Sequence, residues 1–152
     1  MTTFRHFEDF HAGEVIDLGR KTVSRAEIIE FASEFDAQPF HLDEEAARKT
    51  LLGGLAASGW HSCAIFMRLL VDNLLAHSSS EGAPGVEKLK WLRPVRPDDT
   101  LSLSATVTEV KPSSSRPTRG SVHFAFTLTN QHGEPVMTLG NWIMFGRKGA
   151  AA

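Results

Sequence analysis

The chain has 152 residues, a formal net charge of −2 and a single cysteine, Cys63. This length suits one domain that buries roughly two thirds of its unfolded surface, so a core can form without disulfides or structural metal. The charge gives no general attraction to nucleic acid or membranes, and the lone cysteine excludes an intrachain disulfide. The sequence lacks the apolar runs of a signal peptide or a membrane span. We therefore expect one cytoplasmic domain over residues 1–152.

The first third of the chain predicts one strand followed by helices. Residues 14–23 are strand-like, and Ser24 with Glu27 has the spacing of a capping box that begins a helix. The apolar residues of this helix share one face at helical spacing and are Ile28, Ile29, Phe31, Ala32 and Phe35. The helix must end before Pro39, because proline excludes the residue before it from helical geometry. Residues 43–48 then form a short helix with acidic residues in its first turn.

The longest predicted helix spans residues 57–76 and follows the helix-breaking pair Gly53-Gly54. Its apolar stripe consists of Trp60, Cys63, Ala64, Met67, Leu70, Val71, Leu74 and Leu75. Ile65, Phe66 and Leu69 are apolar residues outside that stripe, so we expect this helix to be buried on most sides.

The final third of the chain is rich in strand-forming residues. Alternation is clearest in residues 101–107, where apolar and hydroxylated side chains take turns. Residues 130–134 have the composition of a hairpin turn. The four predicted strands are residues 86–95, 101–110, 121–130 and 135–145. One strand, then helices, then an antiparallel meander predicts an α+β fold in which a curved antiparallel sheet wraps around the long central helix. This element order matches the hot-dog fold.

The segment from Asp36 to His41 carries the chemistry. A carboxylate precedes an imidazole by five residues, and Pro39 between them forces an irregular turn, so both side chains can face one cavity. Such a couple can share a water and transfer protons reversibly near neutral pH. The alternative interpretation is that Asp36 only caps a turn and His41 is an ordinary loop histidine.

The same segment and four later ones carry a resemblance to a known family. In chain order they are Asp36-Ala37-Gln38-Pro39-Phe40-His41 with Asp43-Glu44-Glu45-Ala46-Ala47, then Gly53-Gly54, then Ala57-Ser58-Gly59, and finally residues 89–101. Together they resemble the MaoC-like dehydratases, whose members include (R)-specific enoyl-CoA hydratases. The family usually has Asn at the position of Gln38 and His at that of Ser58, so the substrate is left open.

The resemblance implies a hydro-lyase of acyl-CoA and fatty acid metabolism. Asp36 and His41 would hold the water that adds across an α,β-unsaturated thioester, and the Gly59 N–H would hold the thioester oxygen. Gly59 can also be explained as a residue that lets the helix start against the sheet. The resemblance implies no metal and no cofactor beyond the coenzyme A of the substrate, and a homodimer or larger homo-oligomer.

Other residues are candidates for substrate binding. Near the couple, the candidates are Gln38, Pro39, Ser58 and Trp60. Arg116 and Arg119 belong to a basic loop that could meet the phosphates of coenzyme A. Further cations with the same potential are Lys88, Lys90, Arg93, Arg96 and Lys111, although such residues are commonly just solvated. The acyl pocket could be lined by Phe35, Phe40, Trp60 and Trp91, but core packing explains these aromatic residues equally well.

Two other functions remain open beside hydration. A hot-dog thioesterase would direct water at the carbonyl carbon with a carboxylate, but residues 57–68 of the long helix contain no Asp or Glu. A non-catalytic acyl-CoA-binding module would keep the fold without turnover.

Overall fold

The computed structural model describes residues 3–149. Five antiparallel strands form one sheet in the order β1-β3-β4-β5-β2. The strands are β1 Val15–Thr22, β2 Glu87–Trp91, β3 Thr100–Pro112, β4 Arg119–Thr129 and β5 Pro135–Gly146. The helices are α1 Arg25–Phe35, α2 Glu44–Arg48 and α3 Gly59–Asn73, with single 3-10 turns at Phe7–Asp9, Pro39–His41 and Leu75–His77. Within residues 3–149, no helix combines the length and apolarity needed to cross a membrane.

One face of the sheet packs on α3 and forms the core. The alternation predicted in β3 is confirmed, because Leu101, Leu103, Ala105 and Val107 are buried while the residues between them are more exposed. On the helix side, the buried apolar residues are Ile65, Phe66, Leu69 and Leu70. The Phe66 ring meets that of Phe126 on β4 edge to face, with centroids 4.8 Å apart. The predicted α+β architecture, a sheet packed on a long helix, is confirmed.

The local signals at the ends of elements are confirmed as well. Ser24 and Glu27 form the predicted capping box at the start of α1, and α1 ends at Phe35, ahead of Pro39. Asp43 caps α2 by accepting a hydrogen bond from the Ala46 N–H at 2.9 Å. The predicted hairpin joins β4 to β5.

The predicted buried faces of two helices need correction. On α3 the predicted stripe is wrong in part, because Trp60 is 60% exposed and Met67 is 44% exposed. Leu70 and Leu74 of the stripe are buried, together with Ile65, Phe66 and Leu69 outside it. A helix that is apolar on most sides does not reveal which side meets the sheet. Phe35 at the end of α1 is also exposed, although its spacing places it with the apolar face.

The long helix is also shorter than predicted. Regular α-helix ends at Asn73, and Leu74 leaves helical geometry before a 3-10 turn continues to His77. Leu74 itself is buried, so the apolar pattern that extended the prediction to residue 76 reflects packing beyond the helix end.

Candidate active site

The end of α1 brings Asp36 and His41 together. Asp36 is the C-cap of α1 and has an extended φ of −153°, so the chain turns away from the helix axis there. Pro39 then begins the 3-10 turn that ends at His41. This turn places His41 Nε2 3.5 Å from Asp36 Oδ2. The structure therefore places this carboxylate and imidazole side by side, as the spacing predicts, but His41 lines the adjoining cavity and Asp36 does not.

A backbone carbonyl fixes the tautomer of His41. His41 Nδ1 lies 2.6 Å from the carbonyl oxygen of Ala56, and the ring is buried. A carbonyl oxygen can only accept, so Nδ1 carries the proton of the neutral ring and donates it. The other nitrogen, Nε2, then has a free lone pair and faces Asp36. His41 is thus arranged to accept a proton at Nε2.

Two side chains hold Asp36 as a carboxylate. The Ser58 hydroxyl donates to Oδ2 at 2.7 Å, and the Gln38 amide donates to Oδ1 at 2.6 Å. The Ser58 bond and then the Gln38 bond lower the pKa of Asp36 below its ordinary value, and partial burial opposes them. Asp36 is therefore ionised at neutral pH. Both positions where the sequence departs from the family pattern contact this carboxylate.

Ser58→Ala is expected to raise the pKa of Asp36, because it removes the strongest donor to the charged form. A depressed pKa contributes stability that is present above the unfolded-state pKa and is lost as pH falls through the folded-state pKa. The variant should therefore lose less stability on acidification than the wild type. Carbon NMR titration of the Asp36 carboxyl measures the change, with Ser114→Ala in the exposed β3–β4 turn as control. An unchanged pKa of Asp36 in Ser58→Ala would contradict this account.

A cavity of about 600 Å³ adjoins His41 and the start of α3. Its lining is mostly apolar and includes Phe40, Leu51, Leu52, Trp91 and Val95. Arg93 is the cation among the lining residues, and it also pairs with Glu134 at 3.3 Å. His41 and Gly59 both line the cavity, so a molecule inside it meets the imidazole and the helix start together.

Gly59 is the first residue of α3, and the sequence predicts two roles for it: close packing at the helix start, and donation of its N–H to a substrate oxygen. The first N–H groups of a helix have no partner within the helix and favour negative charge. A Cβ at this position would lie only 2.4 Å from the Trp91 ring, and Trp91 Nε1 donates to the Gly59 carbonyl at 2.9 Å. Close packing against Trp91 therefore requires glycine here. The role of its N–H toward a substrate oxygen stays a prediction.

Within residues 3–149, the remaining predicted site residues are not among those that line the cavity. Pro39 is exposed, and Trp60 is exposed with its ring packed edge to face on Trp91 at 5.3 Å. Arg116 is exposed in the β3–β4 turn, and Arg119 forms an ion pair with Glu81. Gln38 and Ser58 reach the site through Asp36 and are absent from the cavity lining. A direct contact of these residues with substrate stays a prediction.

The sequence pattern missed the Ala56 carbonyl, which holds His41 through the backbone. A backbone acceptor leaves no mark in side-chain identity, and no motif search would find it. Trp91 was recognisable only as one aromatic residue among several, because its packing on Gly59 joins positions 32 residues apart.

Two features identify the class of protein. One is the sheet packed on a long helix, and the other is the carboxylate–imidazole couple near the start of that helix. The model of the MaoC like domain matches residues 9–124. The chain belongs to this family of MaoC-like dehydratases, and the family resemblance is confirmed.

Relatives and solved structures agree with this assignment. The (R)-specific enoyl-CoA hydratase of Rhodospirillum rubrum is 33% identical over 109 residues, 70% of this chain and 72% of that protein. A MaoC-like dehydratase structure from Rhodospirillum rubrum is 45% identical and has a TM-score of 0.89, covering 96% of this chain and 99% of the other. The R-hydratase PhaJ1 of Pseudomonas aeruginosa shares the fold at 23% identity and a TM-score of 0.78, over 97% of this chain and 89% of the other. The hot-dog prediction is thus confirmed.

Proposed function

We propose that this protein catalyses reversible hydration of an α,β-unsaturated acyl thioester, with enoyl-CoA as the substrate class. The observation that carries the proposal is the free Nε2 of His41, 3.5 Å from the ionised Asp36, on the wall of an apolar cavity. Membership of the MaoC-like dehydratase family supports the reaction type. The (R)-specific hydratase relative supports the thioester substrate.

The couple moves one of the two protons of a bound water, and the other proton stays on the oxygen that becomes the product hydroxyl. Water oxygen bonds to the β-carbon while one water proton passes to the couple, and the couple delivers a proton to the α-carbon. The double bond is lost, a hydroxyl and a hydrogen are gained, and the couple ends as it began. Asp36 and His41 act as one proton-transfer couple, because His41 Nε2 and Asp36 Oδ2 lie 3.5 Å apart.

Attack at the β-carbon builds negative charge on the thioester oxygen. Gly59 at the start of α3 lines the cavity, and its N–H would hold this charge, which the helix dipole also favours. The thioester already makes the β-carbon electrophilic, so the proposed reaction needs no metal or cofactor besides the coenzyme A of the substrate.

The cavity matches an acyl thioester in size and lining. Its roughly 600 Å³ and its apolar walls of Phe40, Leu51 and Trp91 suit an acyl chain. Arg93 is better placed for the phosphates of coenzyme A than Arg116 or Arg119, because it lines the cavity and they do not.

We propose that the protein is a homodimer or a larger homo-oligomer in the cytoplasm; the location rests on composition alone. Trp60 and Met67 on α3, with Trp91 and Leu92 at the end of the edge strand β2, are large apolar residues left exposed in the single chain. Exposed apolar surface of this kind next to an open sheet edge is typical of an association surface.

Light scattering at micromolar concentration is expected to give at least twice the monomer mass. Met67→Glu should shift the protein toward monomer, because it puts a charge on this surface, whereas Ser33→Glu on the exposed side of α1 should not. A monomeric wild type would contradict the proposed assembly.

A panel of enoyl-CoA substrates tests the proposed reaction. Ultraviolet absorbance follows loss of the conjugated double bond, and a thiol reagent follows free coenzyme A. Absorbance loss without free thiol is the expected result, and product chirality then gives the stereochemistry. Release of thiol would indicate a thioesterase, and binding without turnover across all chain lengths would indicate an acyl-CoA-binding module.

A further inference from the structure

A single arginine holds the segment that leads into the site. Arg96 lies ahead of β3, and its guanidinium donates to three carbonyls of the segment 52–55. Nη1 reaches the carbonyl of Gly54 at 2.7 Å and that of Leu55 at 3.3 Å, while Nη2 binds that of Leu52. The guanidinium thus fixes three peptide groups of an otherwise irregular segment.

A carboxylate from α2 holds the same segment. Glu44 Oε2 accepts the Leu55 N–H at 3.0 Å. A Cβ on Gly54 would lie 3.3 Å from both Arg96 Nη1 and Glu44 Oε1, so the backbone runs close between cation and carboxylate. Gly53 has a φ of +68°, which explains why glycine occupies the second position of the segment 52–55.

The held segment ends at the acceptor of His41. Ala56 follows Leu55 directly, and its carbonyl receives His41 Nδ1–H at 2.6 Å. Ala57 N–H then bonds to the Val95 carbonyl at 2.9 Å, one residue before Arg96. Leu52 and Ala56 line the cavity, whereas Arg96 lies outside its lining. The guanidinium of Arg96 therefore reaches the site through the backbone of residues 52–56.

We propose that Arg96 is a positioning residue for His41. By fixing residues 52–55 it holds the Ala56 carbonyl where it selects the Nδ1–H tautomer, which leaves Nε2 free beside Asp36. The catalytic consequence rests on the proposed hydratase function, whereas the tautomer consequence does not. Lysine cannot replace Arg96 fully, because one ammonium lacks the planar fork of donors that reaches three carbonyls.

Histidine nitrogen NMR on uniformly labelled full-length protein tests the proposal without any substrate. In the wild type, the neutral ring of His41 is expected as the Nδ1–H form. In Arg96→Met the Nε2–H form should gain population, and Arg96→Lys should be intermediate. Arg68→Met is the matched control, because Arg68 pairs with Asp72 on the exposed side of α3. It should leave the His41 signals unchanged.

Activity gives the second readout. Turnover of the best enoyl-CoA should fall about tenfold to a hundredfold in Arg96→Met, which is the effect expected from a slightly misplaced catalytic group. If the wild type shows no hydratase activity, the proposed function fails, but the NMR comparison still decides the role of Arg96. If the Met variant does not fold, the Lys variant carries the test. A wild-type His41 in the Nε2–H form, or unchanged His41 signals in the folded Arg96 variants, would overturn the inference.

Discussion

Asp36→Asn is expected to lower the turnover of enoyl-CoA hydration at least about a hundredfold. Asn has nearly the same shape and can still accept the Ser58 hydroxyl, but it has no negative charge and cannot take up a proton. The loss should appear in kcat, because Asp36 does not line the cavity and contributes little to substrate affinity. Steady-state kinetics by ultraviolet absorbance, with circular dichroism to check the fold, measure the effect.

Asp72→Asn is the matched control for this change. Asp72 is an exposed carboxylate on α3 that pairs with Arg68 at 2.9 Å, so its loss should leave turnover near the wild-type value. If Asp36→Asn hydrates the substrate panel at near wild-type rates, the carboxylate has no part in the mechanism. Asp36 would then act only as a turn cap.

His41→Ala is expected to lower turnover by a similar factor of at least about a hundred. This variant loses both the proton acceptor Nε2 and the Nδ1–H bond to the Ala56 carbonyl. His41→Asn separates the two losses, because its amide N–H can replace Nδ1–H toward Ala56 while nothing replaces Nε2. Both variants should lose activity, but His41→Asn should keep the higher melting temperature.

The exposed His11 gives the control, and His11→Ala should hydrate at the wild-type rate. Recovery of turnover by His41→Asn would show that His41 acts only through its bond to Ala56. That result would refute its assignment as a proton-transfer group.

Short-range features were predictable because the residues that cause them are near in sequence. The capping box of Ser24 and Glu27, the turn forced by Pro39 and the alternation of β3 all follow from local spacing. The closeness of Asp36 and His41 belongs to the same group, since five residues and one proline restrict their separation. From these local features, the sequence alone predicts that Asp36 and His41 lie close together.

Features that depend on tertiary contacts were not predictable. The side of α3 that meets the sheet was misjudged, because Trp60 and Met67 are as apolar as Ile65. The Ala56 carbonyl binds a side chain 15 residues earlier in the chain. The clamp of Arg96 joins residues 52–55 to a side chain more than 40 residues away. Arg96 therefore looked like one of several basic residues near coenzyme A.

The most direct test of the account is hydration of an enoyl-CoA in water labelled with deuterium and heavy oxygen, followed by mass spectrometry of the product. We predict one heavy oxygen on the β-carbon and one deuterium on the α-carbon, with the thioester intact. A heavy oxygen in a free carboxylate, or no label in the acyl chain, would contradict addition of water by Asp36 and His41.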